Sequence, residues 1–212
     1  MKEILSILVF LISISGFSQH YLPFNSEEIK LIQTDSLQML RVYNLQNHGD
    51  SLVLKSKSLP VEEGEKMLNL LSKRMLLSVN DPINRGVGIA APQVGINRRV
   101  IVVQRFDKTE KPFEVFVNPI IVWASDLMQL GPEGDLSFDE RGTVMRHYII
   151  EVQYQTIDGS TIREIMEGFT AVIFQHERDH LDGILLTDRI EEQKDMKFIP
   201  LKENQNLFYL EN

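Results

Sequence analysis

The sequence predicts one domain of mixed helices and strands, and three observations carry that expectation. Val61 to Asn80 has Met67, Leu70, Leu71 and Met75 at helical spacing. Five segments between Arg99 and Met166 are short apolar, β-branched runs bounded by turn residues. From Phe169 the apolar residues return to helical spacing and lead into a charged, histidine-bearing stretch. A chain of 212 residues is long enough for one domain with a proper core.

In chain order, Met1-Lys2-Glu3 and the apolar run Ile4 to Phe17 have the pattern of a signal peptide over residues 1–18, with cleavage between Ser18 and Gln19. The run is too short for a membrane-spanning helix. This predicts an exported protein, periplasmic or extracellular, with no stable membrane anchor after cleavage. Residues 19–38 form an N-terminal extension in which Asn25 or Ser26 starts a short helix. Met39 to Val42 reads as a short strand, and Asn47-His48-Gly49-Asp50 as a turn. The amphipathic helix over Val61 to Asn80 ends at Asp81-Pro82. Gly86 to Gly95 is rich in small residues. Taken alone it is a tight loop, or a place where backbone closely approaches another group beside the lone amide Gln93.

Strands are expected over Arg99 to Gln104, Phe113 to Val117 and Ile120 to Trp123, the last two parted by Asn118-Pro119. Gly131 to Phe138 holds two glycines and a proline, so an irregular acidic turn is expected there, with Asp135 and the Leu136 amide outside regular pairing. Tyr148 to Tyr154 and Thr161 to Met166 form a hairpin through Asp158-Gly159. Glu167-Gly168 leads into a helix that stops near Asp182-Gly183. Residues 191–212 read as a polar tail with an apolar patch at Phe208-Tyr209-Leu210.

Composition narrows the function. The hydrophobic fraction of 43% and charged fraction of 25% are those of a globular protein. A formal net charge of −8 without a basic stripe argues against nucleic-acid binding. The absence of cysteine excludes disulfides, thiolate ligands, a cysteine nucleophile and a lipid anchor on cysteine. His20, His48 and His147 carry no motif and are expected to be ordinary surface or satisfied histidines.

The strongest chemical signal is His176-Glu177-x-x-His180 within Gln175 to Gly183. Residues four apart on a helix lie one above the other, so His176 and His180 can aim two imidazoles at one metal ion. Glu177 stands about 100° further round, placed to act on a water rather than as a third ligand. The third ligand must come from elsewhere.

Three stretches together resemble the peptide deformylase family. Gly86 to Gln93 matches G-x-G-L-A-A-x-Q with Ile89 at the leucine position, and Glu133 to Ser137 matches E-G-C-L-S. Gln175 to Gly183 matches Q-H-E-x-D-H-L-x-G, and Arg141-Gly142, Val144 and Arg146 fit the intervening pattern. The resemblance runs from about Met39 to Ile190, which marks 39–190 as the catalytic domain. It implies an α+β fold with antiparallel β-sheets around a central helix carrying the H-E-x-x-H motif. It further implies one divalent metal ion, Fe²⁺ or Zn²⁺, on His176, His180 and Asp135, with Glu177 as acid and base. Gln93 and the Leu136 N–H would hold the substrate oxygen. Val87, Gly88, Glu133, Gly134, Val172 and Ile173 would line the site for an N-formylated peptide.

One position departs from the family: Asp135 stands where it has a metal-binding cysteine. Two histidines and a carboxylate still make a three-ligand set. An aspartate side chain ordinarily ionises near pH ~3.9 and a cysteine near ~8.5, so metal binding at Asp135 releases fewer protons at neutral pH. Aspartate also cannot climb the thiol oxidation ladder, which suits an exported protein. The expected activity is metal-dependent removal of N-formyl groups from peptides. One alternative is a non-catalytic exported protein on the same fold that binds formyl-peptides or another partner. A general metallopeptidase is a third reading, but it leaves the glycine-rich stretch and Gln93 unexplained.

Overall fold

A computed structural model describes residues 21–211. The expected signal peptide and its cleavage point lie outside them, as does His20. In chain order the elements are α1 (Ser26–Gln33), α2 (His48–Leu54), α3 (Leu68–Val79), β1 (Gly88–Ala90), a 3₁₀ turn (Ala91–Val94), β2 (Val100–Gln104) and β3 (Phe113–Ala124). They continue as β4 (Leu127–Asp135), β5 (Phe138–His147), β6 (Ile149–Gln155), β7 (Thr161–Glu167), α4 (Gly168–Leu181), α5 (Leu186–Gln193), β8 (Phe198–Leu201) and β9 (Asn204–Leu210). The strands form two antiparallel sheets, β1-β2-β3-β6-β7 and β5-β4-β9-β8. The fold is α+β, with the motif helix α4 at its centre. No helix of the described residues is long and apolar enough to cross a membrane.

Strand β2 shows why the sequence reads as it does. Val100-Ile101-Val102-Val103 is an unbroken apolar run because both faces are buried. Val100 and Val102 join the cluster built on Leu71, Met75 and Val79 of α3. Ile101 and Val103 join the cluster that holds Phe174 and Ala171 of α4. Phe116 meets Phe174 edge-on at 5.3 Å and Tyr154 at 4.6 Å. Each such pair adds about 0.5–1.5 kcal/mol beyond burial, and the trio fixes α4 against the sheet.

Several local expectations change. Met39 to Val42 is not a strand. Its hydrogen-bond partners are single groups rather than a ladder: the Leu40 N–H donates to Ser78 Oγ at 3.0 Å, and just beyond the segment the Tyr43 N–H donates to the Gln93 carbonyl at 2.7 Å. The Asn47 turn is a helix start, because its side chain accepts from the Gly49 and Asp50 N–H groups and caps α2. The helix over Val61 to Asn80 begins only at Leu68. Gly64, at φ +75°, takes the chain out of helical geometry, and the Glu65 carboxylate accepts from the Phe24 and Met67 N–H groups instead. Phe113 to Trp123 is one strand carried through an irregularity. Asn118 takes a positive φ there, and its side chain bonds Val61 and Gln155.

The stretch Gly131 to Phe138 is mostly regular strand. Pro132 is tolerated because only β5 pairs with β4 at that point, while β9 pairs no further along it than Gln129. Only Leu136 and Ser137 form the turn. The polar tail is also structured: it holds the end of α5 and then the β8–β9 hairpin, with Phe208 and Tyr209 in register with Met128 and Leu127 of β4. Its apolar patch is the edge of a sheet. In the N-terminal extension, α1 is capped by Asn25 and buries Ile32 in the core. His48 is exposed on α2, and the His147 ring is satisfied by the Ser125 carbonyl at 2.7 Å.

Candidate active site

Three pieces of chain converge here. α4 carries His176, Glu177 and His180 within little more than one turn, all buried, with the two imidazoles 5.0 Å between centroids. The last residue of β4 and the turn that follows bring Asp135, Leu136 and Ser137. β1 and the 3₁₀ turn after it bring Gly88 and Gln93. His180 Nε2 lies 3.2 Å and His176 Nε2 3.9 Å from Asp135 Oδ2. The ligand atoms of the three residues lie within 4.8 Å of one another.

The hydrogen bonding tests whether a cation fits. Asp135 Oδ2 and both ring nitrogens of His180 are buried without a hydrogen-bond partner. The 3.2 Å approach of His180 to Asp135 is therefore close but not aligned as a hydrogen bond. Leaving a buried polar group unpaired costs about 1–3 kcal/mol. Asp135 Oδ2 and His180 Nε2, joined by His176 Nε2, make sense as the two-imidazole, one-carboxylate set that takes a divalent cation. Burial would raise Asp135, but the His180 and His176 rings and the Ser137 N–H outweigh it and hold the carboxyl at about 2. Burial lowers His176, yet the bond to Glu133 and the charges of Glu177 and Asp135 lift it to about 9. A cation entering the site must displace that proton, so its affinity falls as pH falls.

Glu177 stands beside this set. Burial pushes its carboxyl up to about 7, against the downward pull of the two histidines. Its Oε2 is buried with no partner. A Cβ on Gly88 would collide with Glu177 Oε1 and lie 2.7 Å from Ile173 Cγ2. The glycine is what lets β1 pass so close to the carboxylate. Gly88→Ala should therefore displace Glu177 and cut kcat about 10²-fold, the scale of an ångström-sized misplacement, while metal content stays at the parent level. An unchanged kcat would refute this close-packing account.

Next to the site is a cavity of about 430 Å³. Its walls include Val87, Gly88, Phe169, Val172 and Ile173, with His176 and Glu177 at one side. All six residues expected to line a substrate site, Glu133 and Gly134 among them, are on its walls. The Leu136 N–H has no hydrogen-bond partner among the described residues. Gln93 is buried, and its Oε1 accepts from the Ala90 N–H at 2.8 Å. Its Nε2 donates to Asp135 Oδ1 at 3.0 Å and to Ser137 Oγ at 3.3 Å.

Glu133 does more than line the cavity, because both of its oxygens are taken. Arg146 donates to them at 2.8 and 2.9 Å, and His176 Nδ1 lies 2.8 Å from Oε2. Arg146 continues to Asp179, and Asp179 is gripped by Arg189. This buried chain fixes the tautomer and angle of His176, so that Nε2 faces Asp135. The sequence pattern named Arg146 and Glu133 separately. Their pairing needs the β4–β5 register, which no spacing along the chain reveals.

A family model described as polypeptide deformylase matches residues 41–196. The chain is 38% identical over 154 residues to a peptide deformylase of Thermotoga neapolitana, covering 72% of this chain and 90% of that protein. It is 34% identical over 168 residues to one from Halalkalibacterium halodurans, covering 72% and 92%. The fold matches the class I type b peptide deformylase of Acinetobacter baumannii solved with Met-Ala-Ser bound, with TM-score 0.63 and 39% identity over 72% of this chain and 98% of that one. It also matches the Thermotoga maritima enzyme, with TM-score 0.64 and 34% identity over 71% and 97%.

Proposed function

Because this chain belongs to the polypeptide deformylase family, we propose that it hydrolyses the N-formyl amide of peptides at the site built by Asp135, His176, His180 and Glu177. The observation that carries the reading is the convergence of three ligand atoms, two of them buried and unpaired, beside a buried carboxylate with a free oxygen. Asp135 Oδ2, His176 Nε2 and His180 Nε2 would hold one divalent ion, Fe²⁺ or Zn²⁺. When bound, that ion supplies a Lewis acid and brings the pKa of water towards ~7.

The chain's own groups do the rest. Glu177 takes a proton from the attacking water and later returns it to the leaving amine nitrogen. The Leu136 N–H and one hydrogen of the Gln93 amide meet the oxygen as charge grows on it, and one such donor is worth about 3–4 kcal/mol. The apolar walls Val87, Val172 and Ile173 take the first side chain of the peptide and keep bulk water from the reacting carbon. Asp135 binds as an anion already at neutral pH, so ion binding there costs no proton.

Purified protein prepared without oxygen should carry close to one equivalent of metal and release formate from a formyl-methionyl peptide. Chelation should abolish the release, and Fe²⁺ or Zn²⁺ should restore it. Stoichiometric metal without formate release would overturn the reading, and absence of metal would favour a binding role. An internally cleaved peptide should be left intact.

Export is part of the same proposal, resting on the apolar run Ile4 to Phe17. The substrates would then be formyl-peptides met outside the cytoplasm. Protein recovered from the extracytoplasmic fraction of an expressing bacterium should begin at Gln19. Recovery of all the protein from the cytoplasm with Met1 intact would reject export.

A further inference from the structure

We propose that Gln93 is a positioning residue for the Asp135 carboxylate, holding it so that only Oδ2 is presented to the metal. The inference rests on the metal-site reading above and on the carboxylate that this chain has at position 135. A thiolate offers one donor atom, but a carboxylate offers two. Asp135 can therefore ligate through either oxygen, or through both, unless something fixes it.

The structure fixes it from one side. Oδ1 accepts from the Ser137 N–H at 2.7 Å and from Gln93 Nε2 at 3.0 Å. Oδ2 accepts nothing and faces both imidazoles. The direction of the Gln93 amide is itself determined. Its Oε1 accepts from the Ala90 N–H, and a backbone N–H can only donate, so the NH₂ end must face Asp135. Gln93 is 1% exposed and sits in a 3₁₀ turn whose backbone carbonyl is held by the Tyr43 N–H. The donor therefore has little freedom to leave. One amide hydrogen holds Oδ1, and the other, on the longer 3.3 Å contact to Ser137 Oγ, is the one available to a substrate oxygen. Gln93 thus acts on the metal site through its ligand as well as on the substrate.

The test is a double-mutant cycle read on the metal, not on turnover. Co²⁺ affinity and the Co²⁺ visible spectrum are measured for the purified parent, Gln93→Leu, Asp135→Cys and the double variant. Removing the Gln93 donor leaves Oδ1 held by the Ser137 N–H alone, so that the carboxylate can turn about that bond. This should weaken Co²⁺ binding about tenfold, near 1.4 kcal/mol, and reduce the intensity of the visible bands as Oδ1 joins the coordination sphere. In the Asp135→Cys background there is no second oxygen to hold, so Gln93→Leu should change affinity less than about twofold. Equal losses in both backgrounds, or no loss in the parent background, overturn the proposal. If Gln93→Leu does not fold, Gln93→Met, unbranched and without a donor, is read by the same criteria. A chain that shows the coupling but releases no formate overturns the proposed function alone. Formate release without the coupling overturns only this inference, and failure of the parent to bind Co²⁺ overturns both.

Discussion

Glu177→Gln is expected to retain metal and lose formyl-peptide turnover by about 10²–10⁴-fold, the range that general acid–base transfer supplies. Metal is retained because Glu177 is not one of the three converging ligands, and the amide keeps the shape of the carboxylate against Gly88. Turnover is lost because an amide cannot accept the proton of the attacking water or return it to the amine. The sign of the pH dependence follows. The base must be ionised, so kcat/KM in the parent rises with pH through the Glu177 pKa. Burial sets that value at about 7 without the ion, and a bound cation lowers it. The acid limb of the parent should therefore lie below pH 7. Single-turnover measurements with metal-loaded protein separate the two effects. A variant that keeps more than a tenth of parental kcat would remove Glu177 from its assigned role.

The sequence made the site legible to different depths. His176 and His180 could be paired because helical spacing is a local property, and α4 runs unbroken past both. The residues Asp135, Gln93 and Leu136 stand out in the sequence, but their roles come only through the family pattern, because their approach to α4 depends on the β4–β5 turn and on β1. The buried chain from Arg189 through Asp179 and Arg146 to Glu133 was not legible as a unit. Its members are ordinary charged residues until β4 and β5 pair. The β8–β9 hairpin was missed for a similar reason. Its strand pairing is supplied by β4, far back along the chain, and its own residues lack a clean alternation. Local misreadings at Asn47 and Gly64 have a common cause. Asn is favoured both in turns and at helix starts, and a single glycine can end a helical pattern that its neighbours support.

The largest stability effect is expected far from the chemistry, at Arg105. Its side chain is 1% exposed and is met by three carboxylates. It donates to Asp107 at 2.9 and 2.7 Å, to Glu164 at 2.8 and 3.2 Å and to Glu114 at 2.7 Å. Asp107 also accepts from Thr170 in the first turn of α4, so the cluster ties the start of the motif helix to β3 and β7. Arg105→Ala leaves three carboxylates crowded together without their shared cation. Breaking a buried pair in this way costs about 3–5 kcal/mol. The lower end applies, because the carboxylates are partly exposed and Lys108 stays near two of them.

The loss should depend on pH with a definite sign. Burial raises Asp107 and Glu164, but their bonds to Arg105 outweigh it and leave both below the usual carboxylate range. In the parent this contributes stability above the unfolded pKa values of about 3.9 and 4.3, lost as pH falls through the folded values. In the variant the crowded carboxylates are instead relieved by protonation. Urea denaturation should therefore show a difference of about 3 kcal/mol at pH 7 that narrows below about pH 4. A loss under about 1 kcal/mol at pH 7, or one independent of pH, would mean that Arg105 contributes by packing rather than by charge.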